Sequence, residues 1–185
     1  MNTVVTSREA ILSVSTQLVA EKGLRAINMR TVAQRCGVAV GSVYNYFPSK
    51  SNLITATVET IWQSMFHMAK QCVPAQDLVE CVKWIFETIL LASEEYPAFF
   101  TLHSMSFTTG EKEKGREIME RYFIHIKNGL MKALVSDVRV KPVAFDGDFS
   151  REAFVDFIFS NILTLLISGE SSCAVLLEII RRAVY

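Results

Sequence analysis

Asn28 to Leu53 reads NMRTVAQRCGVAVGSVYNYFPSKSNL, and this stretch decides the fold. Asn28 is a residue type that caps helix N-termini, since its side-chain oxygen can take an otherwise unpaired backbone N–H. Met29, Val32 and Ala33 then recur at helical spacing towards Cys36. Gly37 supplies the positive φ that a tight turn needs. A second short helix is predicted from about Val40 to Phe47; Pro48 stops it, and Ser49 caps a longer helix beyond. Two short helices joined by a Gly-containing turn read as a helix-turn-helix, whose second helix enters a major groove roughly 12 Å wide. Gly41 and Ser42 suit that task, because small side chains let the backbone approach DNA. Tyr44, Asn45 and Tyr46 can each donate to a phosphate oxygen or a base edge, and Lys50 is placed for a phosphate. Two tyrosines at i, i+2 cannot both face one core, so at least one is expected at the surface.

The chain around this stretch is helical throughout. It has 185 residues, 50% of them hydrophobic, with only 8 Gly and 4 Pro, which excludes a disordered or collagen-like chain. Thr6 with Glu9 forms a capping-box pattern ahead of Ile11, Val14, Leu18 and Val19, and Gly23 stands where that helix would end. Beyond Ser49, Ile54, Val58, Ile61, Met65 and Met68 continue a helical period up to Pro74. Helices are predicted from about 76 to 95, 113 to 136, 150 to 168 and 171 to 185, with an aromatic-rich segment from Phe99 to Gly110 between them. Asp137 to Phe149 is the one long irregular stretch. The expectation is an all-α protein of about nine helices, with an N-terminal three-helix head, residues 1–48, and a larger helical domain, residues 49–185.

Charge separates these two parts. Lys+Arg and Asp+Glu both number 19, so the formal net charge is zero, which by itself argues against a nucleic-acid partner. Residues 1–50 nevertheless hold six basic residues (Arg8, Lys22, Arg25, Arg30, Arg35 and Lys50) and two acidic ones, Glu9 and Glu21, a balance of +4. The remainder carries −4. Screening confines each field to about 8 Å at cellular salt, so the two do not cancel locally. Four cysteines without a C-x-x-C and three histidines (His67, His103 and His125), none at i, i+4, match neither a zinc site nor a disulfide framework. No metal and no cofactor are expected. The first residues carry no basic stretch followed by an apolar one, and the most apolar run, Phe157 to Ile167, is shorter than the ~20 residues a bilayer requires. These features point to a cytoplasmic protein with no membrane partner. No Ser-His-Asp ordering, phosphate loop or paired carboxylates stands out, so no catalytic residue is assigned and an enzyme is not expected.

The stretch from Asn28 to Leu53 resembles the DNA-binding signature of the TetR family of transcriptional regulators. The likeness lies in Ala33, Gly37, Val38, Gly41, Tyr44, Phe47, Lys50 and Leu53, with Val32 in place of Ile, and covers roughly residues 7–53. The resemblance implies double-stranded DNA as partner. By position it implies a phosphate or base contact from Arg30, base-facing roles for Val40, Gly41 and Ser42, phosphate- and base-edge roles for Tyr44 and Tyr46, and a phosphate-binding role for Lys50. Asn45, from its side chain, and Asn28, which replaces the usual Thr and can still cap, complete the candidate DNA-binding residues. Two departures are informative. Ala39 replaces the Ser or Thr that usually caps the recognition helix, removing about 1 kcal/mol of capping, and Val40 suits a thymine methyl better than a polar base edge.

In the C-terminal domain, Trp62, Phe66, Trp84, Phe100, His103, Phe107 and Phe123 fit either an apolar effector pocket or an ordinary helical core. The resemblance adds a small-molecule effector to the first reading. In the last two predicted helices Phe154, Phe157, Ile158, Ile162, Leu165, Leu177, Ile180 and Val184 occupy more than one face. A helix apolar around most of its circumference is buried on more than one side, which a homodimer achieves. The expected function is a ligand-responsive repressor that binds a palindromic operator as a dimer. Two alternatives stay open: a head that binds another protein, or a body that carries an apolar ligand.

Overall fold

The computed structural model describes residues 6–69, 76–96 and 109–185. Among these are eight α-helices and no β-strand: α1 (Arg8–Lys22), α2 (Met29–Cys36), α3 (Val40–Tyr46), α4 (Lys50–Ala69), α5 (Leu78–Glu95), α6 (Thr109–Ser136), α7 (Arg151–Ile167) and α8 (Ala174–Val184). Short 3-10 turns stand at Leu24–Ala26 and Pro142–Ala144. The aromatic segment from Phe99 to Phe107, expected ahead of α6, lies outside the described residues.

The helix ends follow side-chain chemistry. Asn28 Oδ1 accepts the Arg30 N–H at 2.9 Å and opens α2. Ser49 Oγ accepts the Asn52 N–H at 3.1 Å at the start of α4, and Ser150 Oγ accepts that of Ala153 at 3.1 Å at the start of α7. For α1 the cap is Ser7, whose Oγ accepts the Ala10 N–H at 3.1 Å, rather than the expected Thr6. Thr6 is buried instead, and its carbonyl accepts the Tyr46 hydroxyl. Helix α5 starts two residues later than spacing suggests because Asp77 caps it, accepting the Glu80 N–H at 3.0 Å.

Contacts group the described residues into two compact units: 6–66 with 93–96 and 109–118, and 67–69 with 76–92 and 119–185. In the first, α2 packs on both α1 and α3. Ile11, Leu18, Val19, Ile27, Val32, Val43, Phe47 and Leu53 are all buried there. The burial of Ile11, Leu12, Ser15, Leu18 and Val19 marks one face of a 3.6-residue period. In the second unit, α5 contributes Leu78, Val82, Phe86 and Ile89 to the core, α6 adds Ile126, Leu130 and Leu134, and the last two helices add Phe154, Ile158, Ile162 and Ile180.

Asp137 stands where α6 ends, inside this second core, and only 3% of its surface is accessible. Its carboxylate accepts the Leu78 N–H at 3.1 Å, the Arg139 Nε–H at 2.9 Å and the Tyr185 hydroxyl. Arg139 also reaches Asp77 at 2.8 Å. The loop that reads as irregular in sequence is therefore anchored at its first residue. One carboxylate ties together the start of α5, the end of α6 and the residue after α8.

Candidate nucleic-acid interface

The turn between α2 and α3 is built around Gly37, at φ 68°. Its N–H and that of Val38 return to the carbonyls of Gln34 (3.2 Å) and Ala33 (3.0 Å), closing the helix end. No heavy atom lies within 4 Å of the space a Cβ would take at Gly37, so the need for glycine is conformational alone. Gly37→Ala is expected to cost about 1 kcal/mol, and Gly37→Asn less, because Asn tolerates left-handed backbone better. Thermal melts of the two variants beside the unaltered chain check this order.

Around that scaffold the expected contact residues divide by exposure. Asn28 and Arg30 in the first turn of α2, Gly41, Tyr44, Asn45 and Tyr46 on α3, and Lys50 at the start of α4 are exposed; Val40 and Ser42 are half-buried. Both tyrosines are at the surface, Tyr44 at 48% and Tyr46 at 42%, while Val43 before them and Phe47 after them are buried. Helix α3 has no side-chain cap at Ala39, as its sequence implies.

Not every basic residue of the head is equally available. Arg35 grips Glu21 with two nitrogens, one bond at 2.9 Å, linking the ends of α2 and α1. The Arg35 guanidinium holds the Glu21 carboxyl below its usual range. Arg8 stands 5.2 Å over the Phe47 ring. Arg30 and Lys50 remain exposed. The +4 balance of the head is thus spent partly on its own architecture.

Elsewhere, Trp62 is buried, and Trp84 and Phe123 are half-buried. Phe123 meets Phe159 edge-on at 4.9 Å between ring centres. Phe100, His103 and Phe107 lie outside the described residues, as does the side chain of Phe66. A cavity of about 440 Å³ is lined by other residues, Asp77, Val79, Glu80, Arg139, Arg181 and Tyr185. Among the described residues no group of three His, Cys, Asp or Glu side chains is arranged to hold a metal, and no helix is long and apolar enough to cross a membrane.

Of the residues expected at a dimer contact, Phe154, Ile158, Ile162, Leu177, Ile180 and Val184 are buried within the chain's own core, Leu165 is half-buried, and Phe157 is 44% exposed. The large apolar residues left at the surface of these helices are Phe157 and Ile167 on α7 and Val175 and Ile179 on α8. Phe157, Ser160, Thr164 and Ile167 fall at i, i+3, i+7 and i+10, and Val175 and Ile179 at i, i+4, so each set shares a helix face.

Residues 11–57 match the bacterial regulatory proteins of the tetR family. The repressor KstR of Rhodococcus jostii is 28% identical over 111 residues, covering 60% of this chain and 52% of its own, so the chain spans about half that relative's length. A transcriptional regulator from Rhodococcus sp. Rha1 shares the fold with a TM-score of 0.68 at 20% identity, covering 92% of this chain and 87% of its own. FadR from Bacillus subtilis, solved in complex with stearoyl-CoA, shares it at 0.62 and 16% identity over 90% of each chain. The helix-turn-helix head, residues 11–57, thus matches the tetR family of bacterial regulatory proteins, and the fold is shared over nine-tenths of the chain with a solved transcriptional regulator.

Proposed function

We propose that the chain is a dimeric repressor that binds a palindromic DNA operator in the cytoplasm and is released by a small apolar or aromatic effector. The observation that carries the reading is the exposure of Arg30, Gly41, Tyr44, Asn45 and Lys50 around a buried scaffold of Val32, Val43 and Phe47. In this reading residues 1–48 form the DNA-binding head and residues 49–185 the ligand-binding and dimerisation domain. Arg30 and Lys50 meet phosphates, Asn28 supports them at the opening of α2, and Val40, Gly41 and Ser42 face the bases. Selection of bound sequences from random duplexes by the purified protein tests it, with a palindrome expected.

The exposed apolar residues of the last two helices, Phe157 and Ile167 on α7 and Val175 and Ile179 on α8, support a second copy as partner. Two heads on one palindrome bind with an effective-concentration gain of roughly 10²–10⁴. Phe157→Glu is therefore expected to give monomers in sedimentation and to lose at least about 100-fold in affinity for the full site, while a half-site is bound as before. Trp62, Phe66, Trp84, Phe100, His103, Phe107 and Phe123 are the proposed effector contacts. FadR of Bacillus subtilis, which shares this fold and was solved in complex with stearoyl-CoA, supports an effector with a large apolar part. Helix α4 runs unbroken from Lys50 to Ala69, so an effector that displaces it would move a phosphate contact directly. A coupling of about 1–3 kcal/mol lowers DNA affinity 5–150-fold.

A further inference from the structure

We propose that Tyr46 is a positioning residue that works on the protein side of the interface: its hydroxyl pins the end of the recognition helix to the entry of α1. This rests on the DNA-binding reading above and changes the part Tyr46 plays in it. The hydroxyl donates to the Thr6 carbonyl at 2.7 Å, a partly buried bond spanning 40 residues of sequence. A tyrosine hydroxyl has one proton, and phosphate oxygens only accept. While that proton lies on Thr6, Tyr46 cannot donate to a phosphate or to an acceptor edge of a base. Tyr44, two residues earlier and exposed, keeps the donor role.

The recognition helix needs such a pin. It has seven residues and no side-chain cap, far below the ~12–15 at which an isolated helix becomes even marginal in water. Its pose must come from tertiary contacts. Val43 and Phe47 supply the apolar ones. Two more come from the start of α1: Arg8 stacks over the Phe47 ring, and Thr6 holds Tyr46. Thr6 is itself fixed, being buried beside the Cys36 thiol at the end of α2, with Ser7 capping α1. The bond thus joins the approach to α1 to the end of α3, the two parts of the head that sequence separates most.

The test uses Tyr46→Phe in the full chain and a duplex selected from random DNA by the unaltered protein. Affinity is measured on that duplex and on versions carrying one neutral methylphosphonate at each phosphate in turn, and amide exchange is followed across α3 in the free protein. Loss of one such hydrogen bond is expected to weaken DNA binding about 3–10-fold, by the same factor on every duplex, with faster exchange in α3. Unchanged affinity overturns the proposal. So does a loss that disappears on one methylphosphonate duplex, since that coupling marks a direct phosphate contact. If the unaltered protein selects no DNA, the operator reading falls separately; exchange in α3 still decides the pin, and unchanged exchange overturns it.

Discussion

Asp137→Ala is expected to lower the stability of the chain by about 3 kcal/mol and its melting temperature by roughly 6–12 °C. The carboxylate is buried, and its removal strands the Leu78 N–H at the start of α5 and the Tyr185 hydroxyl, each of which donates to it. An unsatisfied buried donor costs about 1–3 kcal/mol. Arg139 is 55% exposed and keeps Asp77 as a partner, so its loss adds little. Asp137→Asn keeps the shape and an acceptor oxygen, and should fall between the two. The pH dependence separates charge from shape. Hydrogen bonds from Arg139, then Tyr185 and the Leu78 backbone, hold the Asp137 carboxyl well below the ordinary carboxylate range, against the opposing effect of burial. A depressed folded-state value gives stability that is fully present above the unfolded value near pH 4 and is lost as pH falls below it. Denaturant melts at pH 7 and pH 3 should therefore show a larger acid loss in the unaltered chain than in Asp137→Asn. Equal losses would mean the carboxylate charge contributes nothing.

The second large effect is at the interface. Tyr44→Ala combined with Lys50→Ala is expected to weaken operator binding on the order of 100- to 1,000-fold, since a dimer loses four contacts worth about 1 kcal/mol each. The two Lys50 side chains should also account for about two units of the salt slope, one per released phosphate contact. Both residues are exposed and neither belongs to the buried scaffold, so the melting temperature should barely change. A head that had turned to a protein partner would show no such loss on DNA.

Much of the head is legible in the sequence because its signals are local. Asn28, Gly37, Ser49 and the uncapped Ala39 act within a few residues of where they stand, and the structure places each as its chemistry implies. That at least one of Tyr44 and Tyr46 stands at the surface follows from helical geometry alone; the structure exposes both. What escapes is set by distance along the chain. Nothing in Thr6-Ser7-Arg8 announces that Thr6 will receive a hydroxyl from residue 46, and so Thr6 reads as a cap when Ser7 is the cap. The same holds for Asp137, which looks like the first residue of a polar loop yet binds groups 59 and 48 residues away. On the last two helices, composition shows that several faces are apolar. It does not say which face the chain uses for itself, and Phe154, Ile158 and Ile180 turn inward while Phe157, Val175 and Ile179 stay out.

One measurement bears most directly on the central claim that the exposed face of α3 and Lys50 binds duplex DNA. Fluorescence anisotropy titrations of the unaltered protein on its selected duplex, from about 50 to 200 mM salt, should give a straight fall of log K against log salt, losing 10³-fold or more if about six phosphates are engaged. Tyr44→Ala with Lys50→Ala should give a shallower line. Failure to enrich any duplex, or binding indifferent to salt and to those two substitutions, would contradict the account.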